Sequence, residues 1–182
     1  MTEVEVFGGP EPGPVTLVPY DPGWPARFER ERERIVAALG ERALAVEHVG
    51  STSVPGLAAK PIVDIDLAVA DVEEEAAFVP ALEGAGYVLR ARERGHRLLR
   101  TPERDVNLHV WTAGDENMAR DLRFRERLRA SPEDRAAYEA RKRELAVRDW
   151  AERQDYADAK GPLIAQIAAR GEPGTAASTA AG

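Results

Sequence analysis

Residues 46–71 read VEHVGSTSVPGLAAKPIVDIDLAVAD, and this stretch decides the fold. It contains an apolar segment, a loop of small residues, and a second apolar segment that carries Asp64 and Asp66. Both apolar segments are typical of β-strands, in which successive side chains point to opposite faces of the sheet. We therefore expect Asp64 and Asp66 to lie on one face, with Ile65 and Leu67 on the other.

The two acids predict a metal site. Carboxylates held close together repel each other when both are charged, and a bound cation removes that cost. We therefore interpret Asp64 and Asp66 as ligands of a divalent metal ion, Mg²⁺ or Mn²⁺. The alternative is an acidic pair on a solvated strand face, without a metal.

The loop before the acids has the chemistry of a phosphate site. Gly50 lets a ligand approach the backbone, and exposed N–H groups together with the hydroxyl of Ser51 can hold phosphate oxygens. With the acidic pair, this predicts a site for a nucleoside triphosphate, and ATP is the expected nucleotide. Lys60 would neutralise the phosphates, and His48 could donate to one of them; the alternatives are a solvated lysine and a structural histidine.

Arginines in the following region offer further phosphate ligands. Residues 90–100 contain five arginines, and we take Arg97 or Arg100 as the candidate that reaches the triphosphate or an acidic acceptor. A solvated run of surface charges is the alternative reading.

The segment DVNLHVW, residues 105–111, alternates in the manner of a strand. Its polar face would carry Asp105, Asn107 and His109. Histidine titrates nearest to neutral pH, so His109 is a candidate to receive a proton from an acceptor group, with Asp105 as a second candidate. A hydrogen-bonded structural histidine and a turn aspartate are the alternatives.

The string HVGSTSVPGLAAKPIVDID resembles the signature of GrpB-type proteins, a branch of the nucleotidyltransferase superfamily that includes DNA polymerase beta and the aminoglycoside nucleotidyltransferases. The resemblance continues in VPYDPGWPARFERERERI, in NLHVW and in FRERLRASPEDRAAYEARKRELA, and it covers residues 15–170. It implies a nucleotidyltransferase-like fold and an inherited nucleotide and metal site. Catalytic members of the superfamily usually place a third carboxylate on a neighbouring strand, where this sequence has Asn107 or His109. The resemblance also makes Arg125 a candidate ligand contact.

Composition limits the classes of partner. The chain has 182 residues, a net charge of −7 and no cysteine. The negative charge argues against general nucleic-acid binding, so a nucleotide and a small-molecule acceptor are the expected partners. The absence of cysteine excludes disulfides and thiolate chemistry. No apolar run approaches the length of about 18 residues that spans a membrane, and we expect a cytoplasmic protein.

Strand and helix patterns alternate around one sheet, and helical segments follow toward the C-terminus. The sequence therefore predicts an α/β (α+β) fold, with a small mixed β-sheet flanked by helices and a C-terminal helical segment. We expect a flexible N-terminal arm over residues 1–14, a single domain over 15–170, and a disordered tail over 171–182.

These observations predict a Mg²⁺-dependent nucleotidyltransferase that moves a nucleoside monophosphate from a nucleoside triphosphate to a small-molecule acceptor. Two alternatives stay open. The domain could be a non-catalytic nucleotide- or metabolite-binding module, which the missing third carboxylate would permit. It could also be an ATP-dependent, ligase-like enzyme that acts through an adenylate.

Overall fold

The computed structural model describes residues 4–8, 15–148, 150 and 153–170. The strands in these ranges are β1 (Glu5–Val6), β2 (Ala45–Val49), β3 (Val63–Val69), β4 (Val88–Glu93), β5 (His96–Arg100) and β6 (Val106–Thr112). The helices are α1 (Trp24–Leu39), α2 (Val79–Gly84), α3 (Glu116–Ala130), α4 (Pro132–Ala146), α5 (Arg153–Asp158) and α6 (Gly161–Arg170). None of the helices in these ranges has both the length and the apolar character that crossing a membrane requires.

The strands form one sheet in the order β1-β4-β5-β6-β3-β2. Strands β3 and β6 run parallel, and the other neighbouring pairs are antiparallel. The α/β fold with a mixed sheet, flanking helices and a helical C-terminal segment is thereby confirmed.

The register of the two parallel strands collects the polar residues on one face. Asp64 pairs with Asn107, and Asp66 pairs with His109. Paired residues on adjacent strands point to the same side of a sheet, so all four side chains share one face. We call this the polar face, and the opposite one the apolar face.

The apolar face packs against α1 and α2 and holds the main core. Ile65 and Leu67 are fully buried there, together with Ile35 and Leu39 of α1. Helix α1 has a proline in its first turn, and Gly40 ends it with a positive φ. Burying each such aliphatic side chain stabilises the fold by about 1.5–3 kcal/mol relative to leaving it exposed.

The C-terminal helices hold the loop that follows β2. Two caps start the longer ones: the Asp115 side chain accepts from the Asn117 N–H at 2.8 Å, and Ser131 accepts from the Asp134 N–H at 3.2 Å. A separate buried cluster joins loop and helices through Val54, Leu57, Phe124, Leu128, Tyr138, Ile167 and Ala168. This packing fixes the loop between the sheet and the helices.

Part of the expected N-terminal arm is structured. Strand β1 joins the edge of the sheet, where Val6 pairs with Ala91 and the Phe7 N–H donates to the Arg90 carbonyl at 2.8 Å. The edge of β4 offers free backbone groups, which explains why a short segment can pair there. Residues 1–3 and 9–14 of the arm, and the expected tail over 171–182, lie outside the described residues.

Candidate functional site

A cavity of about 910 Å³ opens beside the polar face, next to the C-terminal helices. From the sheet and its loops it is lined by Gly50, Ser51, Lys60, Asp64, Arg100, Asn107 and His109. From the C-terminal helical segment it is lined by Asp121, Tyr138, Lys142, Tyr156 and Lys160. The cavity thus brings together residues that are far apart in the chain.

Gly50 lies directly against Asp64. Its backbone has φ 68° and ψ −171°, which favours glycine. A Cβ built on Gly50 would lie only 2.6 Å from Asp64 Oδ2. The bend is held by the hydroxyl of Ser53, which donates to the Gly50 carbonyl at 2.6 Å. The structure therefore brings together the Gly-Ser bend and the first acid, two features that the sequence analysis placed in one site.

Neutral groups surround Asp64 on the strand next to it. Asn107 Nδ2 donates to Asp64 Oδ1 at 2.7 Å, and His109 Nε2 lies 4.0 Å from the same oxygen. The other amide atom, Asn107 Oδ1, is buried and has no hydrogen-bond partner among the described residues. An oxygen acceptor is therefore left without a donor beside the carboxylate.

Asp66 lies on the same polar face as Asp64, but its side chain is buried and does not line the cavity. Its side chain is fully buried, and its Oδ1 accepts from Trp111 Nε1 at 3.2 Å. Its Oδ2 has no hydrogen-bond partner within the described part of the chain. Burial, and then the charge of Asp121, raise the pKa of Asp66 to about 8. The predicted acidic pair thus has one member on the cavity and one beneath its wall.

Asp121 is a third carboxylate that the sequence analysis missed. It comes from helix α3, lines the cavity and lies close enough to Asp64 for that charge to add to the rise of its pKa, which burial mainly causes. Arg120 Nη2 pairs with it at 3.2 Å. Phe124 and Leu128 follow Asp121 by three and seven residues, so Asp121 lies on the buried side of the helix. This spacing is the feature of the sequence from which the position of Asp121 could have been predicted.

These acids do not form a closed metal cage. No three His, Cys, Asp or Glu residues in the described ranges are near enough to one another to hold one ion. The strand position at which the family resemblance expects a third carboxylate holds Asn107 and His109, as the sequence predicts. Any metal ion at Asp64 would therefore need ligands from outside the protein.

A hydrogen-bonded chain leads to His109. His96 Nδ1 lies 2.8 Å from Glu93 Oε1, and His96 Nε2 lies 3.0 Å from His109 Nδ1. If His96 donates to the glutamate, its second nitrogen must accept from His109 Nδ1–H, which leaves His109 Nε2 with a free lone pair. Burial, then His96 and Arg100, lower the pKa of His109 well below its usual range. His109 is therefore neutral, and with His96 donating to Glu93 its Nε2 is an acceptor nitrogen that faces Asp64.

Lysines line the cavity on the side of the C-terminal helices. Lys142 is buried, and its Nζ donates to Ser51 Oγ at 3.1 Å and to the Ala58 carbonyl. Burial, then the charge of Lys160, lower the pKa of Lys142 to about 7. The predicted Lys60 also lines the cavity, and its Nζ lies 5.3 Å from the ring centre of Tyr156.

His48 is not brought to the cavity, against the expectation that it could donate to a phosphate. It lies on the apolar face, where it stacks on Phe28 and its Nε2 lies 2.9 Å from Thr52 Oγ1. The reason is strand alternation, since Val49, next to it, pairs with Asp64 and takes the place on the polar face. Burial lowers the pKa of His48 to about 4. It is a neutral core histidine.

Arg97 and Asp105 are also held elsewhere. Arg97 lies on the apolar face with 3% exposure, ion-paired to Glu73 and Glu75. Arg100, the other candidate in that strand, does line the cavity. Asp105 precedes β6, accepts from the Thr101 hydroxyl at 2.7 Å and pairs with Arg27 of α1 at 3.1 Å. Its predicted role as a proton acceptor is not supported by this position.

The fold and the cavity define a class: a mixed α/β domain whose sheet supplies Asp64, and whose C-terminal helical segment supplies Asp121, Lys142 and Lys160, to a shared cavity. Residues 14–170 match the family of GrpB proteins, and the chain belongs to this family. A UPF0157 protein of Streptomyces coelicolor is 51% identical over 170 residues, which cover 93% of this chain and 91% of that protein.

Two further comparisons extend this result. The crystal structure of the conserved protein GrpB from Enterococcus faecalis matches with a TM-score of 0.70 and 31% identity, over 86% of this chain and 96% of that one. A dephospho-CoA kinase of Mycolicibacterium paratuberculosis is 34% identical over 178 residues, which cover 82% of this chain but 44% of that protein. A similar domain therefore also occurs as part of a longer chain.

Proposed function

We propose that this protein is a Mg²⁺-dependent nucleotidyltransferase that moves a nucleoside monophosphate from a nucleoside triphosphate, with ATP the expected one, to a small-molecule acceptor. The observation that carries the proposal is the contact between the Gly50 backbone and the Asp64 carboxylate, in a cavity that also contains lysines. The cavity volume of about 910 Å³ falls within the range of small-molecule sites, roughly 300–1,000 Å³.

The donor atoms fit Mg²⁺ or Mn²⁺. Asp64 offers a carboxylate on the cavity, and Asp66 Oδ2 and Asn107 Oδ1 are oxygens without partners among the described residues. Magnesium prefers oxygen ligands and is usually bound through one or two carboxylates plus substrate phosphates and water. Asp64, with Asp66 behind it, would hold the ion. When bound, the metal would neutralise phosphate charge and polarise the α-phosphorus.

The residues of the chain have separate tasks in this proposal. Gly50 and Ser51 would hold phosphate oxygens through backbone N–H groups and the hydroxyl. The acceptor oxygen or nitrogen would form a bond to the α-phosphorus, the bond from that phosphorus to the bridging oxygen would break, and pyrophosphate would leave. His109 Nε2 would take the proton that the acceptor loses, since Asp105 is held away from the cavity.

The test is a screen for pyrophosphate release with the four nucleoside triphosphates, pooled amino acids, sugars, aminoglycosides and nucleosides, and Mg²⁺ or Mn²⁺. Asp64→Asn and Asp66→Asn should each lower turnover by on the order of 100-fold or more, because the first removes the carboxylate on the cavity and the second removes the acid behind it that would complete the metal site. Glu83→Gln, at an exposed position on α2, is the matched control and should leave turnover unchanged. Full activity in both aspartate variants, or no release with any pair of substrates, would reject the proposal.

A non-catalytic binding module is the second candidate, and specific observations favour it. Asp66 is buried with a raised pKa, the neighbouring strand has no third carboxylate, and the low pKa of His109 makes it a weak base. Such a module would bind a nucleotide without consuming it. Titration calorimetry that detects nucleotide binding, combined with no pyrophosphate release in the screen, would support this candidate over the enzyme.

A further inference from the structure

The distribution of lysine in this chain is uneven. Of its 25 basic residues, three are lysines, namely Lys60, Lys142 and Lys160. All three line the same cavity, although they come from the loop before β3, from α4 and from the turn after α5. Lysine carries a compact charge on a flexible stem, whereas arginine offers a planar fork. Arginines such as Arg100 also line the cavity, but all of the lysines of the chain do so.

Lys142 is a buried cation whose partners are neutral. It is 2% exposed, and its Nζ contacts the Ser51 hydroxyl, the Ala58 carbonyl and, at 5.0 Å, the ring of Tyr138. None of the described carboxylates forms an ion pair with it. A buried charge without a counter-charge is costly, and the low pKa of this lysine is the direct result. An anion in the cavity would offset that cost.

Tyr156 supplies an unused hydrogen-bond donor at the same wall. The residue is fully buried and lines the cavity, and its hydroxyl has no partner among the described residues. The ammonium group of Lys160 lies 4.5 Å from the centre of its ring, and that of Lys60 lies 5.3 Å away. A buried hydroxyl without a partner is rare in folded proteins and points to a missing acceptor.

We propose that Lys60, Lys142 and Lys160, with the hydroxyls of Ser51 and Tyr156, form a subsite for an oligophosphate. Three cations from separate segments suit a ligand with several linked phosphates better than a single phosphate ion. Burial lowers the pKa of Lys160, and the nearby charge of Asp64 opposes that shift, so the subsite adjoins the acidic side of the cavity. Assigning the β- and γ-phosphates of a nucleotide to this wall rests on the proposed function, whereas the subsite itself needs no turnover.

Calorimetric titration of the full chain with inorganic tripolyphosphate, pyrophosphate and phosphate, without metal, tests the subsite. Tripolyphosphate should bind more tightly than phosphate. Tyr156→Phe should weaken tripolyphosphate binding by about tenfold, the effect of one hydrogen bond to a charged group. Its unfolding midpoint should not fall, because the hydroxyl contacts no described partner in the free protein.

Lys142→Met and Lys160→Met should each weaken tripolyphosphate binding by on the order of tenfold or more, because each removes a charge from the subsite. The matched control is Arg141→Met, a neighbouring residue on α4 that pairs with Glu144 at 2.8 Å, and its affinity should equal that of the wild type. If Lys142→Met fails to fold, Lys160→Met and Tyr156→Phe decide the question. The subsite is refuted if wild-type protein does not bind tripolyphosphate, or if binding survives these substitutions.

The subsite and the proposed function can fail separately. Tripolyphosphate binding that depends on the lysines, without pyrophosphate release from any nucleotide, supports the subsite and rejects the enzyme. Metal-dependent turnover that persists in the lysine variants, without tripolyphosphate binding, supports the enzyme and rejects the subsite.

Discussion

Replacing Gly50 by alanine is the sharpest test of the site geometry. Its φ of 68° and ψ of −171° cost an L side chain roughly 1–3 kcal/mol. The added Cβ would lie 2.6 Å from Asp64 Oδ2 and 3.2 Å from Asp64 Cβ, so Asp64 must turn away. The hydrogen bond from Asn107 to Asp64 would then be lost, at about 1.5–3 kcal/mol. Together we expect a loss of roughly 3–5 kcal/mol in the free energy of unfolding.

Gly56→Ala is the matched control. Gly56 also has a positive φ, 81°, but a Cβ added there meets nothing within 4 Å. Its substitution should cost only the backbone strain, about 1–2 kcal/mol. Urea unfolding followed by tryptophan fluorescence measures both variants. The double variant Gly50→Ala with Asp64→Ala should recover about 1–2 kcal/mol relative to the sum of the single effects, because the clashing carboxylate is gone.

Two outcomes would refute this reasoning. One is a Gly50→Ala variant that loses no more stability than Gly56→Ala, which would mean that nothing crowds Gly50. The other is a double variant whose effect equals the sum of the single ones within about 0.5 kcal/mol, which would mean that the two residues do not touch. In either case the bend and the acid would not share one site.

Three further predictions concern charged groups. The pKa of Asp66 is about 8 in the folded protein against 3.8 in the unfolded chain, so the folded state binds more protons between those pH values. As pH rises from 4 to 8, the free energy of unfolding of the wild type should therefore fall relative to that of Asp66→Asn by more than about 1 kcal/mol. Urea titrations measure both pH profiles, and parallel profiles would contradict the prediction. Arg97→Met should cost about 1.5–3 kcal/mol because Arg97 loses its charged hydrogen bonds to Glu73 and Glu75, although Glu75 keeps Arg92 as a partner. Tripolyphosphate affinity should stay unchanged, and weaker binding would show that Arg97 contributes to the site. In ¹⁵N NMR spectra, His109 should stay neutral with Nε2 unprotonated down to about pH 5, whereas a titration near 6.5 would exclude the low pKa.

Alternation alone predicted which residues of β3 and β6 share the polar face. Period two is a local property, and Asp64, Asn107 and His109 follow it without knowledge of the partner strand. For His48, the local pattern does not determine which face of the sheet the side chain lies on. Whether His48 or its neighbours face the cavity depends on the pairing of β2 with β3, and that register is set by contacts between strands. Arg97 and Arg100 differ in the same way, since three positions along a strand reverse the face.

The contribution of the C-terminal helices could be predicted from local pattern only in part, through the spacing of Asp121 from Phe124 and Leu128. Helices α3 and α4 carry charged residues around most of their surface, so their periodicity gives little indication of which side packs inward. Asp121 and Lys142 reach the cavity only because the helices pack on the loop after β2, through contacts such as Phe124 and Tyr138. These contacts join segments more than 60 residues apart. The acids of β3 were therefore found, and the lysines of α4 and the α5–α6 turn were not.

On both sides of the cavity, a charged side chain has only neutral hydrogen-bond partners. Asp64 has neutral neighbours in Asn107 and His109, and Lys142 has neutral neighbours in Ser51 and Ala58. Asp64 and Lys142 line the same cavity, and no ion pair joins these two residues. A ligand that offers a cation to the acid and anions to the lysines would satisfy both at once, and a metal-bound oligophosphate has both. The sheet and the helices would then each bind one part of a single ligand.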